Sequence, residues 1–294
     1  MQQPAFSLVF DFDGTITLQD TIANLAEVGL EAQQFRAAHV SPPWPQIVET
    51  YQRDYAQHVS CYLPGVQDRQ SLDDELQFLR SLRRVELRSI RLVESSGLYK
   101  GVTEEMLFAA GQKAVRYQHV LIRDGFAQLI GIAAERGWRT SVLSLNWSRS
   151  FIRGVLSGYS IDTIVANEIT ADGTITGPVM VDGNKCHAEL ATSEDKALAL
   201  SHLITLDGID REKLVYFGDS VTDIECLLLG KGVILSSGSD SSLIHTLQRV
   251  GFDVPGVWDA VPESALVWAT SFSDILKSGF LEQLCQHTRV TTQP

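Results

Sequence analysis

The sequence predicts an α/β protein, and three observations carry that reading. The apolar run Ala5-Phe6-Ser7-Leu8-Val9-Phe10 has the length and content of a buried strand, and two aspartates, Asp11 and Asp13, stand at its end. The stretch that follows, residues 20–118, shows apolar residues at helical spacing and nothing that reads as a strand. From Leu121 onward, short β-prone runs alternate with helical patterns. Such alternation builds a parallel sheet covered on both faces. The expected architecture is therefore a Rossmann-like, doubly wound parallel sheet made by residues 1–19 and 119–294, with a helical cap inserted at 20–118.

The elements follow in order. Asp20-Thr21 is placed to cap a helix through Ile22, Leu25, Ala26 and Leu30, and Ser41-Pro42-Pro43-Trp44-Pro45 is a rigid break. Helices are expected from about Ile47 to Tyr62, Ser71 to Glu94 and Thr103 to His119. The second carries the stripe Leu72, Leu76, Leu79, Leu82, Val85 as a core face, and Arg80, Arg83, Arg84, Arg88 and Arg91 as a solvated one. Gly125 opens a helix that Gly137 ends, Thr140–Ser144 reads as a strand, Ser148–Leu156 as a helix and Ile164–Ile169 as a strand. Asp172-Gly173 between β-prone runs signals a hairpin. Helices at Glu194–Ile204 and Ile224–Leu229 alternate with strands at Leu214–Phe217 and Gly232–Leu235. Further helices are expected at Ser242–Val250 and Ala265–Leu276, with fraying from Thr288.

Composition narrows the classes of function. A hydrophobic content of 44% in 294 residues is enough for a sizeable core. A net charge of -12 argues against a general nucleic-acid or anionic-membrane binder. It leaves room for an anionic substrate, because a divalent cation reverses the local sign. Cys61, Cys186, Cys226 and Cys285 lack C-x-x-C spacing, so neither a zinc site nor a disulfide framework is expected. No basic leader followed by an apolar run is visible, and no stretch reaches the ~18 apolar residues that span a bilayer. A cytoplasmic protein without membrane or nucleic-acid partners is expected.

In doubly wound sheets ligands bind beyond the carboxyl ends of the strands. There stand Asp11 and Asp13, then Ser144 and Asn146, then Asp219 and Asp223, while Lys196 sits near a helix start. Two carboxylates as close as Asp11 and Asp13 repel unless a cation or a shared proton intervenes. The set suits phosphoryl transfer. A carboxylate attacks, hard oxygen ligands such as Asp11 and Asp219 suit magnesium, a hydroxyl and an ammonium grip the phosphate, and a second acid manages protons.

These residues resemble the haloacid dehalogenase (HAD) superfamily of phosphatases, in the branch similar to phosphoserine phosphatase. The four motifs match as Asp11-Phe12-Asp13-Gly14-Thr15, the strand-end Ser144, Lys196, and Gly218-Asp219-Ser220-Val221-Thr222-Asp223. Ala166-Asn167-Glu168 followed by Asp172-Gly173 and Thr176-Gly177 also resembles that branch's hairpin, and 20–118 stands where the branch carries its cap. The resemblance implies a magnesium-dependent phosphomonoesterase acting on a small-molecule phosphate ester through an aspartyl-phosphate. It makes Asp11 the nucleophile, Asp13 the general acid/base with its carbonyl on the metal, Ser144 and Lys196 the phosphate ligands, Asp219 a metal ligand and Asp223 a support of the metal shell.

Two positions bear on the substrate. Asp20 stands nine residues after the nucleophile, where phosphoserine phosphatases carry a Glu that reads the substrate amine. Asn146 lies in Leu143-Ser144-Leu145-Asn146-Trp147-Ser148, a run that departs from Ser-Gly-Gly and resembles HAD domains acting on thiamine monophosphate. Trp147 is either a stacking residue or a core one. A phosphotransferase and a non-catalytic binding protein of the same fold are the alternatives.

Overall fold

Six parallel strands make the sheet, in the order β10-β9-β8-β1-β2-β3. The computed structural model describes residues 6–178, 180–182, 185–187 and 189–291. In chain order the elements are β1 (Ser7–Phe10), α1 (Ile22–Phe35), α2 (Trp44–Cys61), α3 (Leu72–Ser81), α4 (Arg83–Ser96), α5 (Glu104–Arg116) and α6 (Phe126–Arg136). Then come β2 (Arg139–Leu143), α7 (Arg149–Val155), β3 (Thr163–Val165), β4 (Glu168–Ile169), β5 (Ile175–Thr176), β6 (Met180–Asp182), β7 (Lys185–His187) and α8 (Ser193–Asp207). The chain closes with β8 (Leu214–Gly218), α9 (Ile224–Leu227), β9 (Lys231–Leu235), α10 (Ser242–Arg249), β10 (Leu266–Ala269), α11 (Phe272–Ser278) and α12 (Phe280–Thr291).

The first strand lies in the middle, pairing β2 on one side and β8 on the other, so the winding reverses direction at its carboxyl end. Strand alternation splits the core into two layers. Leu8, Phe10, Val142 and Phe217 belong to one apolar cluster, whereas Val9, Leu143 and Tyr216 belong to the other, which α8, α9 and α10 complete. Asp11 continues the alternation of Val9 and so falls on the α8 side. All four residues of β1 are buried, as a strand covered on both faces requires.

The inserted segment is helical throughout, with no strand among its described residues. The single helix expected over Ser71–Glu94 is instead α3 and α4, divided at Leu82. Phe78, Leu79 and Leu82 bury with α8, while Ile90 and Val93 bury in the opposite cluster, and one straight helix cannot serve both. Ser71 caps α3 by accepting from Asp74 N–H at 3.2 Å, and Gly97, at φ 76°, ends α4. The α5 helix packs tightly on α7 of the core: a Cβ on Gly111 would meet Phe151 O at 2.3 Å, and one on Gly154 would meet Phe108 O at 2.1 Å.

The arginine face is only partly solvated. Arg88 pairs within the inserted segment, with Asp54 at 3.1 Å, but three arginines cross to the core. Arg80 reaches Glu225 at 2.5 Å, Arg83 reaches the buried Asp195, and Arg91 reaches Glu189.

Three other expectations change. Ile164–Ile169 is not one strand: β3 belongs to the main sheet, while β4 turns away to pair with β5 in the hairpin signalled by Asp172-Gly173. Ala265–Leu276 is not a helix. Leu266–Ala269 forms the edge strand β10 beside β9, and Ser271 then caps α11, because a short apolar run does not reveal by periodicity whether it is strand or buried helix. The expected fraying from Thr288 gives way to α12, which continues to Thr291, and residues 292–294 lie outside those described, as do residues 1–5 and the side chain of Cys186.

Candidate active site

The carboxyl ends of β1, β2 and β8 and the first turn of α8 open on one cavity of about 540 Å³. Asp11, Asp13, Asp20, Ser144, Asn146, Lys196 and Asp219 all line it, and Asp223 lies directly beneath. Residues as far apart in the chain as Asp11 and Asp223 therefore meet at the point where the winding of the sheet reverses.

At the floor, Asp11 keeps its backbone in the ladder by donating its N–H to Phe217 O at 2.8 Å. Lys196, 1% exposed, donates from Nζ to Asp11 Oδ1 and to Asp223 Oδ1, each at 2.6 Å. A capping box formed by Thr192 and Asp195 starts α8 and sets the position of this lysine. Burial opposes its charge, but Asp11 and Asp223 outweigh that effect and hold the ammonium protonated. Burial pushes the Asp11 carboxyl well up, with Asp223 and Asp219 adding to the rise against the pull of Lys196. Burial and Asp223 likewise raise Asp219, to about 6.

That cluster carries more negative charge than its one lysine balances: three carboxylates against one ammonium leave a formal excess of two. Oxygens of Asp11, Asp219 and Asp223 lie within 4.8 Å of one another, so the donor set fits a hard divalent cation. The three are not equivalent. Asp223 Oδ1 already accepts from Lys196 and from Tyr216 O–H (2.7 Å), and Oδ2 accepts from the N–H groups of Asp219 and Ser220 at 3.2 and 3.1 Å. Asp219 accepts only the hydroxyl of Thr15, at 2.8 Å, among the described hydrogen bonds. Gly14 makes that approach possible: at φ 75°, a Cβ there would stand 2.2 Å from Asp219 Oδ2.

Asp13 reaches the cavity by a route the strand does not supply. Alternation along an extended chain would place it with Asp11, but the backbone leaves the strand in a turn over Phe12–Ile16, closed by Thr17 N–H to Phe12 O at 3.0 Å. Arg123 braces the turn from behind, donating to the carbonyls of Gly14 and Thr15. Asp13 Oδ1 accepts from Thr21 N–H and O–H at 2.9 and 2.7 Å, and Oδ2 accepts from Asn146 Nδ2 at 2.8 Å. Burial, and then Asp20, push its carboxyl up to about 6 despite these donors.

Asn146, expected to face a substrate, spends its amide on protein. Nδ2 serves Asp13 and Thr21, and Oδ1 accepts from Ser148 N–H at 3.0 Å. Asp20 accepts from Ile22 N–H at 2.7 Å at the start of α1, and it also lines the cavity. Trp147 stands at the cavity wall, its ring edge-to-face with Trp44 at 6.5 Å. Ser144 is buried, with its hydroxyl accepting from Asn146 N–H at 3.1 Å.

Sequence reasoning missed several participants. Thr21, Arg123 and Tyr216 carry no motif signal, because each acts through a neighbour, while Thr15 belongs to the first motif and acts through Asp219. Asn167 belongs to the expected hairpin run, yet its buried amide joins Leu145 O and Asn146 O to Leu190, tying the Ser144 loop to the approach of α8. On the outer wall, Tyr51 and Glu86 fall within ordinary helical periodicity, and Trp44, expected in the rigid break, instead opens α2.

Known proteins are similar to this chain in sequence or in fold. A CTO1 family protein of Schizosaccharomyces pombe is 26% identical over 292 residues, covering 93% of this chain and 98% of that protein. The bifunctional TH2 protein, mitochondrial, of Arabidopsis thaliana is 25% identical over 262 residues, 82% of this chain but 40% of that longer one. The crystal structure of a phosphoserine phosphohydrolase-like protein from Francisella tularensis has the same fold, with a TM-score of 0.52 at 16% identity, covering 92% of this chain and 98% of that one. The haloacid dehalogenase-like hydrolase family matches residues 8–228, well over half the chain, with Asp11, Lys196 and Asp219 inside the match. The chain belongs to the haloacid dehalogenase-like hydrolases.

Proposed function

We propose that the protein is a magnesium-dependent phosphomonoesterase that hydrolyses a small phosphorylated metabolite through an aspartyl-phosphate on Asp11. The observation that carries this reading is the meeting of Asp11, Asp13, Lys196 and Asp219 around one cavity at the strand ends. A binding module has no need of a buried carboxylate held by a lysine beside a second, separately oriented acid.

An oxygen of Asp11 attacks phosphorus while the ester P–O bond breaks, and the departing alcohol oxygen takes a proton from Asp13. Water then gives a proton to Asp13 and attacks the same phosphorus. The acyl-phosphate P–O bond breaks, inorganic phosphate leaves and Asp11 is restored. Lys196 and Ser144 hold the non-bridging oxygens, while Thr21 and Asn146 keep the Asp13 carboxyl aimed into the cavity. Asp11 and Asp219, with Asp223 behind them, would hold magnesium, which when bound offsets the excess negative charge and polarises the phosphoryl group. The helices at 20–118 act as a cap that limits substrates to small esters, among which thiamine monophosphate and phosphoserine are the leading candidates.

The test is turnover of a panel of phosphate esters with magnesium, for wild type and Asp11→Asn. Hydrolysis by wild type, with a phosphoenzyme that Asp11→Asn fails to form, supports the reading. Full activity in Asp11→Asn overturns it, and product analysis with added alcohols separates hydrolysis from phosphotransfer.

A further inference from the structure

The outer wall of the cavity has a chemistry of its own. Lys196 is the one cationic side chain among the described residues that line the cavity, and it is locked at the floor between Asp11 and Asp223. The other end is closed by α2, α4 and the Trp147 loop, and the charged groups there are both acids, Asp20 and Glu86.

Glu86 is notable for what surrounds it. It stands on a helix that carries Arg83, Arg84, Arg88 and Arg91, yet no lysine or arginine among the described residues pairs with it. Arg83 turns to Asp195, Arg88 to Asp54 and Arg91 to Glu94 and Glu189. Its hydrogen-bond partner is the phenol of Tyr51, donating at 2.9 Å. Burial raises the Glu86 carboxyl, as happens to a half-buried acid left without a positive neighbour. A part-buried carboxylate of this kind is offset by a cation that arrives with a ligand. In the same cavity, Trp44 and Trp147 meet edge to face, and such rings offer both a flat apolar surface and a negative π-face.

We propose that this wall selects the leaving group, and that Glu86, Trp44 and Trp147 recognise a phosphate ester whose alcohol carries a positive charge on a planar ring. The inference rests on the phosphatase reading above and deepens it. An amino-acid ester such as phosphoserine brings a carboxylate into a wall that has two acids and no free cation to receive it. A neutral ring gains stacking but leaves Glu86 uncompensated.

The experiment compares kcat/KM for thiamine monophosphate, whose ring is a fixed cation, with kcat/KM for benzyl phosphate, whose ring is uncharged, and for phosphoserine. p-Nitrophenyl phosphate serves as a generic ester. In the wild type the cationic ester is preferred, and Glu86→Gln lowers the ratio of cationic to neutral kcat/KM by about tenfold or more, chiefly through KM, as loss of one charge contact implies. A wild-type preference for the neutral or anionic ester, or a ratio unchanged in Glu86→Gln, overturns the inference. Should Glu86→Gln fail to fold, judged by its melting curve, Trp44→Leu takes its place, with the same fall in ratio expected and an unchanged ratio again overturning it. Hydrolysis of p-nitrophenyl phosphate that Asp11→Asn abolishes keeps the two readings apart. If that activity is present and no cation preference appears, only the present inference fails. If neither p-nitrophenyl phosphate nor any other ester of the panel is hydrolysed, the phosphatase reading fails as well.

Discussion

Lys196 and Asp11 stand 2.6 Å apart at the floor of the cavity, and the same ammonium holds Asp223 at an equal distance on the other side. Removing the cation from this arrangement leaves two buried carboxylates facing each other. Lys196→Met is expected to abolish turnover and to cost about 3–5 kcal/mol of stability, the usual cost of breaking a buried pair. For a chain of this size that lowers the melting temperature by roughly 10 °C. Added magnesium should restore part of the loss, since it supplies positive charge to the same cluster. Calorimetry with EDTA and with magnesium checks both statements.

The aspartates of the cluster separate in the same assay. Among the described hydrogen bonds Asp219 has one donor, and its carboxyl is raised, so Asp219→Asn without metal is expected to be neutral or mildly stabilising. It should also remove the rise in melting temperature that magnesium gives the wild type. Asp223→Asn behaves in the opposite way. Its oxygens already satisfy Lys196, Tyr216 and two backbone N–H groups, so the variant is destabilised by about 2–4 kcal/mol with or without metal. Equal behaviour of the two variants would contradict these separate roles.

Thr21 and Asn146 aim Asp13, and they do so without being reactive themselves. Thr21→Val keeps the shape of the side chain and removes the hydroxyl donor, and Asn146→Ala removes the amide donor, leaving the Thr21 N–H in place. Each is expected to lower kcat about tenfold with little change in KM, a fraction of the 10²–10⁴ that a general acid contributes. The double variant should approach the loss seen in Asp13→Asn. Steady-state kinetics on a single substrate decides it.

The junction of α5 with α7 depends on two glycines that leave no room for a methyl group. Gly154→Ala would place its Cβ 2.1 Å from the Phe108 carbonyl oxygen, and backbone must shift to relieve it. A loss of about 1–3 kcal/mol is expected from overpacking, read as a lower denaturant midpoint. Because α5 joins the inserted helices to the core, KM should rise as well.

Much of this architecture was legible beforehand. The aspartates at the end of β1, the hairpin at Asp172-Gly173 and the helical character of 20–118 follow from local patterns of spacing and turn chemistry, and local patterns survive folding. The errors lie where local pattern is silent. The division of the Ser71–Glu94 helix at Leu82 depends on which of two apolar clusters each half reaches, and the identity of Leu266–Ala269 as a strand depends on β9 lying beside it.

By itself, the sequence determined which residue types were available for the chemistry: paired acids beyond an apolar strand, a serine, a lysine and a second acidic loop in a fixed order. Tertiary structure decided what each one does. Asn146 faces Asp13, Asp223 spends its oxygens on Lys196 and Tyr216, and Arg80, Arg83 and Arg91 cross to core acids while Glu86 is left facing the cavity with a phenol. The reason is physical. A polar side chain takes its role from the partners within hydrogen-bonding distance, and those partners come from segments far away in the chain.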